Sequence, residues 1–289
     1  MPFLELPNEI LIKVVDMTHS MDIDNLILAN KRLYGLSFSS TKMQRRRATR
    51  ENAKAMFQRF GNPMEDKTIL GRNLDFLDLD DDVSWLKPLH PKVAEESSPY
   101  RLRGPVSKRH LQGLVSRATC LGLNLPQPFT KVMGSRKLQI RIPTGGDELI
   151  VRRLYRCAPE FDQGAGGCLV SFWEDQQGCC YNTIYLDKQG HHCILWSDLH
   201  PYRSDDLDDE VDEDYNDEPN NSPDQDDIPI CSNSKEDFRL ESTSFEQFLA
   251  QLYFEQSISI LHDEGLPLTR DLQVYLDHVP VEGVAEDDE

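Results

Sequence analysis

The sequence predicts an α+β chain, on three observations. Apolar residues recur at helical spacing through residues 6–38, and again as Phe245, Phe248, Leu249 and Leu252. Between these regions, Cys168–Glu174, Cys179–Leu186 and His191–Trp196 read as strands. They are separated by Asp175-Gln-Gln-Gly178 and Asp187-Lys-Gln-Gly190. Each connection ends in glycine, as a hairpin turn with one residue at positive φ requires. Three adjacent strands with short turns make an antiparallel meander.

At the N-terminal end, Pro7 suits the first turn of a helix, because its φ is fixed and its missing N–H has no partner to lose there. Glu9 lies on the favourable side of the helix dipole. Ile10, Leu11, Val14 and Met17 then repeat on one face. Asp22 reads as the N-cap of a second helix carrying Ile23, Leu26 and Ile27, and Asn30 caps a third carrying Leu33 and Leu36. Units this small rarely bury their own apolar surface without a disulfide, a metal or a partner. This stretch has no cysteine and no ligand cluster, so the expectation is a partner protein, with packing on the rest of the same chain as the alternative.

Lys42–Arg50 begins a basic helix that continues to Phe60, with Ala53, Met56, Phe57 and Phe60 on its buried side. Arg45–Arg47 reads as a solvated face, the alternative being part of a nuclear-localisation signal. Residues 61–100 read as an irregular connector packed through Leu74, Phe76, Leu77, Leu79, Trp85 and Leu86. A second domain starts near Pro105. Leu111, Leu114, Val115, Ala118 and Leu121 mark a helix ending at Gly122, and Phe129, Val132 and Met133 mark a short one stopped by Gly134. Leu149–Tyr155 reads as a strand. Ser244-Phe-Glu-Gln247 is a capping box opening a helix over 244–261. A last short helix spans Thr269–Asp277.

The 289 residues suit two domains, and 38% hydrophobic content is enough for a core. No apolar run approaches the ~20 residues of a membrane span, and acidic residues around the N-terminal apolar positions argue against a signal peptide. Seven cysteines then read as reduced thiols, which implies a cytoplasmic or nuclear protein. The net charge of −19 is concentrated: Asp205–Asp227 holds thirteen acidic side chains and no basic one, leaving −6 elsewhere. That balance does not imply a nucleic-acid partner, and with no apolar run of spanning length no membrane partner is expected. An acidic run of this composition cannot bury a core, so residues 205–235 read as a disordered insertion.

Two stretches resemble known families. Leu6-Pro7-x-Glu9-Ile10-Leu11, followed by Asp24-x-Leu26-x-x-Ala29-Asn30-Lys31-Arg32-Leu33, resembles an F-box, the motif that docks onto the Skp-type adaptor of cullin ubiquitin ligases. Asn30 stands where many F-boxes carry cysteine. The resemblance implies adaptor contacts from Leu6, Pro7, Glu9, Ile10, Leu11, Val14, Leu26 and Leu33. Leu125-Pro126-x-x-Phe129, Ser171-Phe-Trp-Glu-Asp-Gln-Gln177, Tyr185-Leu-Asp-x-x-Gly190-x-His192-Cys193-x-Leu195 and Ser244-Phe245-x-x-Phe248-Leu249 resemble a fungal branch of the SUKH superfamily. That resemblance implies a curved antiparallel sheet flanked by helices and no common catalytic activity. Asn182 and Thr183 stand where relatives often carry aromatics.

Together these readings divide the chain into an F-box (1–45), a basic helix and connector (46–104), a first SUKH-like part (105–204), the acidic insertion (205–235), C-terminal helices (236–279) and an acidic tail (280–289). The implied function is a non-enzymatic substrate receptor of a Skp–cullin–F-box ubiquitin ligase, contacting a cullin through the adaptor and holding an unidentified target protein. The alternative is an interaction scaffold whose N-terminal helices pack in cis. For the target site the expectation is an open sheet face carrying Phe172 or Trp173 with Tyr181 and Tyr185, since such rings dominate binding hot spots. The competing expectation is that these rings face the connector at 61–100 and are core.

Other chemistry is weakly marked and no cofactor is expected. Cys179-Cys180 with His191-His192-Cys193 invites a zinc reading, but adjacent residues of a strand point to opposite faces and no Cys-x-x-Cys knuckle exists. A Cys193/His200 nucleophile pair lacks a third group to orient the base. Gly164-x-Gly166-Gly167 precedes a strand, whereas a phosphate loop needs a helix after it.

Overall fold

The computed structural model describes residues 6–28, 30–61, 74–97, 108–144, 147–175, 177–199 and 228–281. Three short helices come first: α1 (Asn8–Met17), α2 (Ser20–Leu28) and α3 (Lys31–Ser37). Pro7 stands at the N-cap of α1. The Asn30 side chain caps α3 by accepting from the N–H groups of Arg32 and Leu33, as its sequence position implies. Asp22 is a different case: α2 begins at Ser20 and places Asp22 inside its first turn. There the carboxylate still meets the positive end of the helix dipole. Leu11, Val15, Ile23, Ile27, Leu33 and Met43 form the core of this unit.

The helix α4 (Thr41–Phe60) is 20 residues long and starts at a Ser40 cap. At 1.5 Å per residue it spans about 30 Å, and its two ends belong to different cores. Met43 packs among the three N-terminal helices, whereas Met56 and Phe60 pack under the sheet. The expected domain boundary at 45/46 therefore falls inside one continuous helix. Nor is its basic face simply solvated, since Arg46 is buried and lies 3.3 Å from Asp24.

The connector carries α5 (Pro91–Glu96) and otherwise lacks α-helix and strand among its described residues. It leads to α6 (Lys108–Cys120), α7 (Gln127–Met133) and α8 (Arg136–Gln139). Gly122 ends α6 at φ +75°, a conformation that only glycine adopts cheaply. The sheet follows: β1 (Glu148–Leu149), β2 (Leu154–Arg156), β3 (Cys168–Glu174), β4 (Tyr181–Leu186), β5 (His192–Ser197) and β6 (Arg239–Ser242). The order is β1-β3-β4-β5-β6, with β2 also pairing β3, and every ladder is antiparallel. The strand expected over 149–155 is thus two short pieces lying along β3. A β-bulge in β3 between Ser171 and Trp173 interrupts the register, as an extra residue in one strand must. β6 has no counterpart in the sequence reading, because four residues alternating outward and inward are too short to signal alone. α9 (Phe245–Asp263) and α10 (Arg270–Leu276) close the fold.

The cap of α9 differs in one detail from the expected reciprocal box. Ser244 accepts from the Gln247 N–H, but the Gln247 side chain accepts from the Thr243 hydroxyl instead. The insertion expected over 205–235 is corrected at its C-terminal end. Residues 200–227 lie outside the described residues, but 228–235 are ordered. Ile228 and Cys231 are buried, and Arg156 exchanges backbone hydrogen bonds with Pro229 and Cys231 at 2.8 and 2.9 Å. The apolar run Ile228-Pro-Ile-Cys231 follows the last acidic residue at once, and averaging composition over the whole segment conceals it. At the other end, Val281 is buried against the last helices, so ordered structure extends into the expected acidic tail.

Two contacts fix α4 to the sheet. The Asn52 side chain acts like a strand residue: its Nδ2 donates to the His192 and Thr243 carbonyls, and its Oδ1 accepts from the His192 N–H at 2.9 Å. Arg59 donates to the Tyr185 hydroxyl at 2.7 Å and to the Asp187 carboxylate at 2.8 Å. Asn52→Ala is expected to cost about 1–3 kcal/mol, since it leaves backbone groups unpaired in a half-buried position. Urea unfolding measures it, and an unchanged midpoint would mean that water replaces the amide at no cost.

Candidate functional site

The outward side of the N-terminal helices is apolar without being covered. On α1, Leu11 and Val15 point into the helical core, while Pro7, Ile10, Val14 and Met17 follow at intervals of three or four along another side. Ile10 is 43% exposed and Met17 is 85% exposed, with Val14 between them half-buried. Leu28, at the end of α2, is 76% exposed. A helix that is apolar on two sides has satisfied only the side facing its own core.

Local bonds hold this face in shape. The Arg32 guanidinium donates to the Leu6 carbonyl at 3.0 Å and to Asn8 Oδ1 at 2.6 Å, tying the start of α1 to α3. The Asp16 carboxylate accepts from the Ser40 hydroxyl at 2.7 Å and from the Lys42 N–H at 3.1 Å, tying its end to α4. The residues expected to contact an adaptor therefore divide. Pro7, Glu9 and Ile10 are exposed, Leu6, Val14 and Leu26 are half-buried, and Leu11 and Leu33 are core. The last two are corrected: they support the face from beneath and are not part of it. Their spacing put them on the apolar stripe, but periodicity does not separate the side facing the helix's own core from the side facing outward.

The expected target site on the sheet is overturned. Phe172, Trp173, Tyr181 and Tyr185 are all buried, because both sheet faces are covered. Phe172 and Trp173 lie in the core shared with α6, α7 and α9, and the bulge in β3 turns both neighbours toward that side. Tyr185 lies on the opposite face, beneath Met56 and Phe60 of α4 and beside Phe161 and Phe238. Its hydroxyl donates to Asp162 at 3.2 Å. Burial, then the Asp162 charge, raise that phenol far above its ordinary value. Over Tyr185 the cover is α4 with the segments around 155–161 and 228–240, whereas the connector contributes Val83 and Leu86 to the core that holds Phe172 and Trp173.

A cleft of about 830 Å³ opens where α4, the connector, the β4–β5 turn and the start of α9 meet. Its charges are largely matched across it. Lys42 pairs with Asp78, Arg45 with Asp81 at 2.6 Å, and His192 Nε2 lies 3.5 Å from Glu246. Burial works to raise the Glu246 carboxyl, but the bond and charge of His192 outweigh it and hold the group below its ordinary value. The first two pairs brace α4 against the connector, and the third joins β5 to α9.

The grouping of Cys179-Cys180 with His191-His192-Cys193 that invited a zinc reading does not assemble. Cys193 is buried in the sheet, and His191 and His192 sit at the opposite end of β4 from Cys179 and Cys180. The thiols instead keep company with Asp175. His200 lies outside the described residues, so the Cys193/His200 pair has no described partner. Gly164 and Gly166 take positive φ in a turn before β3. Among the described residues, no helix is long and apolar enough to cross a membrane. No family model, curated protein or solved structure matches this chain.

Proposed function

We propose that the chain is a non-catalytic substrate receptor of a Skp–cullin–F-box type ubiquitin ligase, docking the adaptor through its N-terminal helices and presenting a target protein on the sheet unit. One observation carries this reading: the uncovered apolar strip Pro7, Ile10, Val14 and Met17 on α1, a surface of the kind that monomers bury against a partner. The resemblance of Leu6–Leu33 to an F-box names that partner. Supporting it, α4 is a single helix anchored in both units, so a target held by the sheet unit would keep a set orientation to the adaptor. The four sheet aromatics are not offered as the target site, since they are core.

Co-purification of the full chain with a recombinant Skp-type adaptor tests the proposal. The wild type is expected to be retained. Ile10→Glu combined with Met17→Glu is expected to reduce retention at least about tenfold, because two charges would be desolvated in an apolar interface. Both side chains are exposed, so the melting temperature of the free chain should be unchanged. Capture equal in both proteins, or none with the wild type, would sink the ligase reading in favour of a scaffold packed in cis.

A further inference from the structure

The turn between β3 and β4 brings together three groups that the sequence reading kept apart. Cys179 and Cys180 precede the first residue of β4, Tyr181, so the opposite-face rule for neighbouring strand residues does not govern them. Their thiol sulfurs and a carboxylate oxygen of Asp175 all lie within 4.8 Å of one another. We propose that Asp175, Cys179 and Cys180 form a site for a thiophilic divalent cation of the zinc class.

The turn is built before any ion arrives. Asp175 Oδ1 accepts from the Cys179 and Cys180 N–H groups at 2.7 and 3.0 Å, and the Asp175 and Gly178 N–H groups close the backbone turn. Gly178 takes the required positive φ of 66°. With Oδ1 engaged in the turn, Oδ2 faces the Cys179 thiol, which donates to it at 3.0 Å. A cation would take the place of that proton. Metal–donor bonds of about 2.0–2.3 Å set tetrahedral neighbours roughly 3.3–3.8 Å apart, so side-chain rotation alone closes the site.

The electrostatics have the right sign. The bond to Asp175, then burial and the Asp175 charge, push the Cys179 thiol up to about 11. The same negative surroundings that hold a proton on sulfur attract a metal ion in its place. Asp147 adds to them: burial first, and then the Asp175 charge, raise its carboxyl. Glu174 is already matched by Arg152 at 2.7 Å and leaves the site alone. On binding, each S–H bond gives way to a metal–sulfur bond and its proton passes to water, with no change of oxidation state. Three protein donors leave one tetrahedral position for water. The site lies at the opposite end of β4 from the Arg59–Asp187 contact, about 20 Å away at 3.3 Å per residue, and it is independent of the proposed adaptor face.

Of the other thiols, Cys157, Cys168, Cys193 and Cys231 are buried and only Cys120 is exposed, which makes the test selective. The reduced full chain is titrated with Cd²⁺, following the thiolate-to-cadmium charge-transfer band in the ultraviolet. The expected result is saturation at one ion per chain for the wild type and for Cys120→Ser, and no band for Cys179→Ser with Cys180→Ser. Asp175→Asn keeps an oxygen for the turn and is expected to weaken binding at least about tenfold, the loss usual even for an outer-shell partner. Release of two protons predicts affinity rising with pH, by up to about a hundredfold per unit. Melting temperatures verify that each variant is folded. No band in the wild type, a band surviving the double serine change, or one lost with Cys120 alone would overturn the site.

Discussion

Phe172→Ala is expected to destabilise the chain by about 3–5 kcal/mol, the range for emptying a ring-sized volume in a core. Phe172 is fully buried in the middle of β3. Its ring meets Phe129, Phe245 and Phe248 edge-on at 5.8, 5.4 and 5.6 Å, so two helices, α7 and α9, lose contacts at once. Edge-to-face pairs add to the area term, each by about 0.5–1.5 kcal/mol. Urea unfolding of the wild type and variant, fitted with a common slope, gives the difference. A loss below about 1 kcal/mol would mean that the helices do not cover this face, and would restore Phe172 and Trp173 as a candidate binding surface.

The second large effect is expected at Asp187, where α4 is fastened to the β4–β5 turn. Its side chain is fully buried and accepts from Arg59 at 2.8 Å, from the Gln189 and His191 N–H groups at 2.9 Å, and meets His191 Nδ1 at 3.2 Å. Asp187→Ala is expected to cost about 3–5 kcal/mol, because the Arg59 cation and two backbone donors lose their acceptor together. Burial alone would raise this carboxyl above its ordinary 3.8, but the bonds from Arg59 and His191 outweigh burial and hold it lower. A carboxyl depressed in the folded state stabilises the fold fully above its unfolded value and loses that contribution as pH falls through the folded value. The wild type should therefore weaken on acidification below pH 3.8. Asp187→Asn should start less stable at neutral pH and weaken less. An acid limb of equal steepness in both proteins would assign the loss to other carboxylates.

Much of the fold was legible in local sequence because the signals concerned are themselves local. Asn30, Ser244 and Thr269 cap the helices that follow them, since a side-chain oxygen reaches an N–H only two or three residues away. Gly178 and Gly190 end the turns at positive φ, and the meander they announce is present. What local signals could not supply is which partner covers an apolar residue. Tyr185 reads identically whether it faces water or α4, and α4 lies more than a hundred residues before it. Leu11 and Ile10 are chain neighbours of like hydrophobicity, yet one is core and the other surface.

By itself the sequence determined the α+β class, the caps of several helices, the two glycine-ended turns of the meander, and the amphipathic character of the N-terminal helices. Only the tertiary structure decided that both sheet faces are closed and that α4 fastens the N-terminal helices to the sheet. The reason is one of range. Caps and turns are satisfied within a few residues, whereas burial of a sheet face depends on segments far apart in the chain, as Arg59 and Asp187 are at a separation of 128 residues.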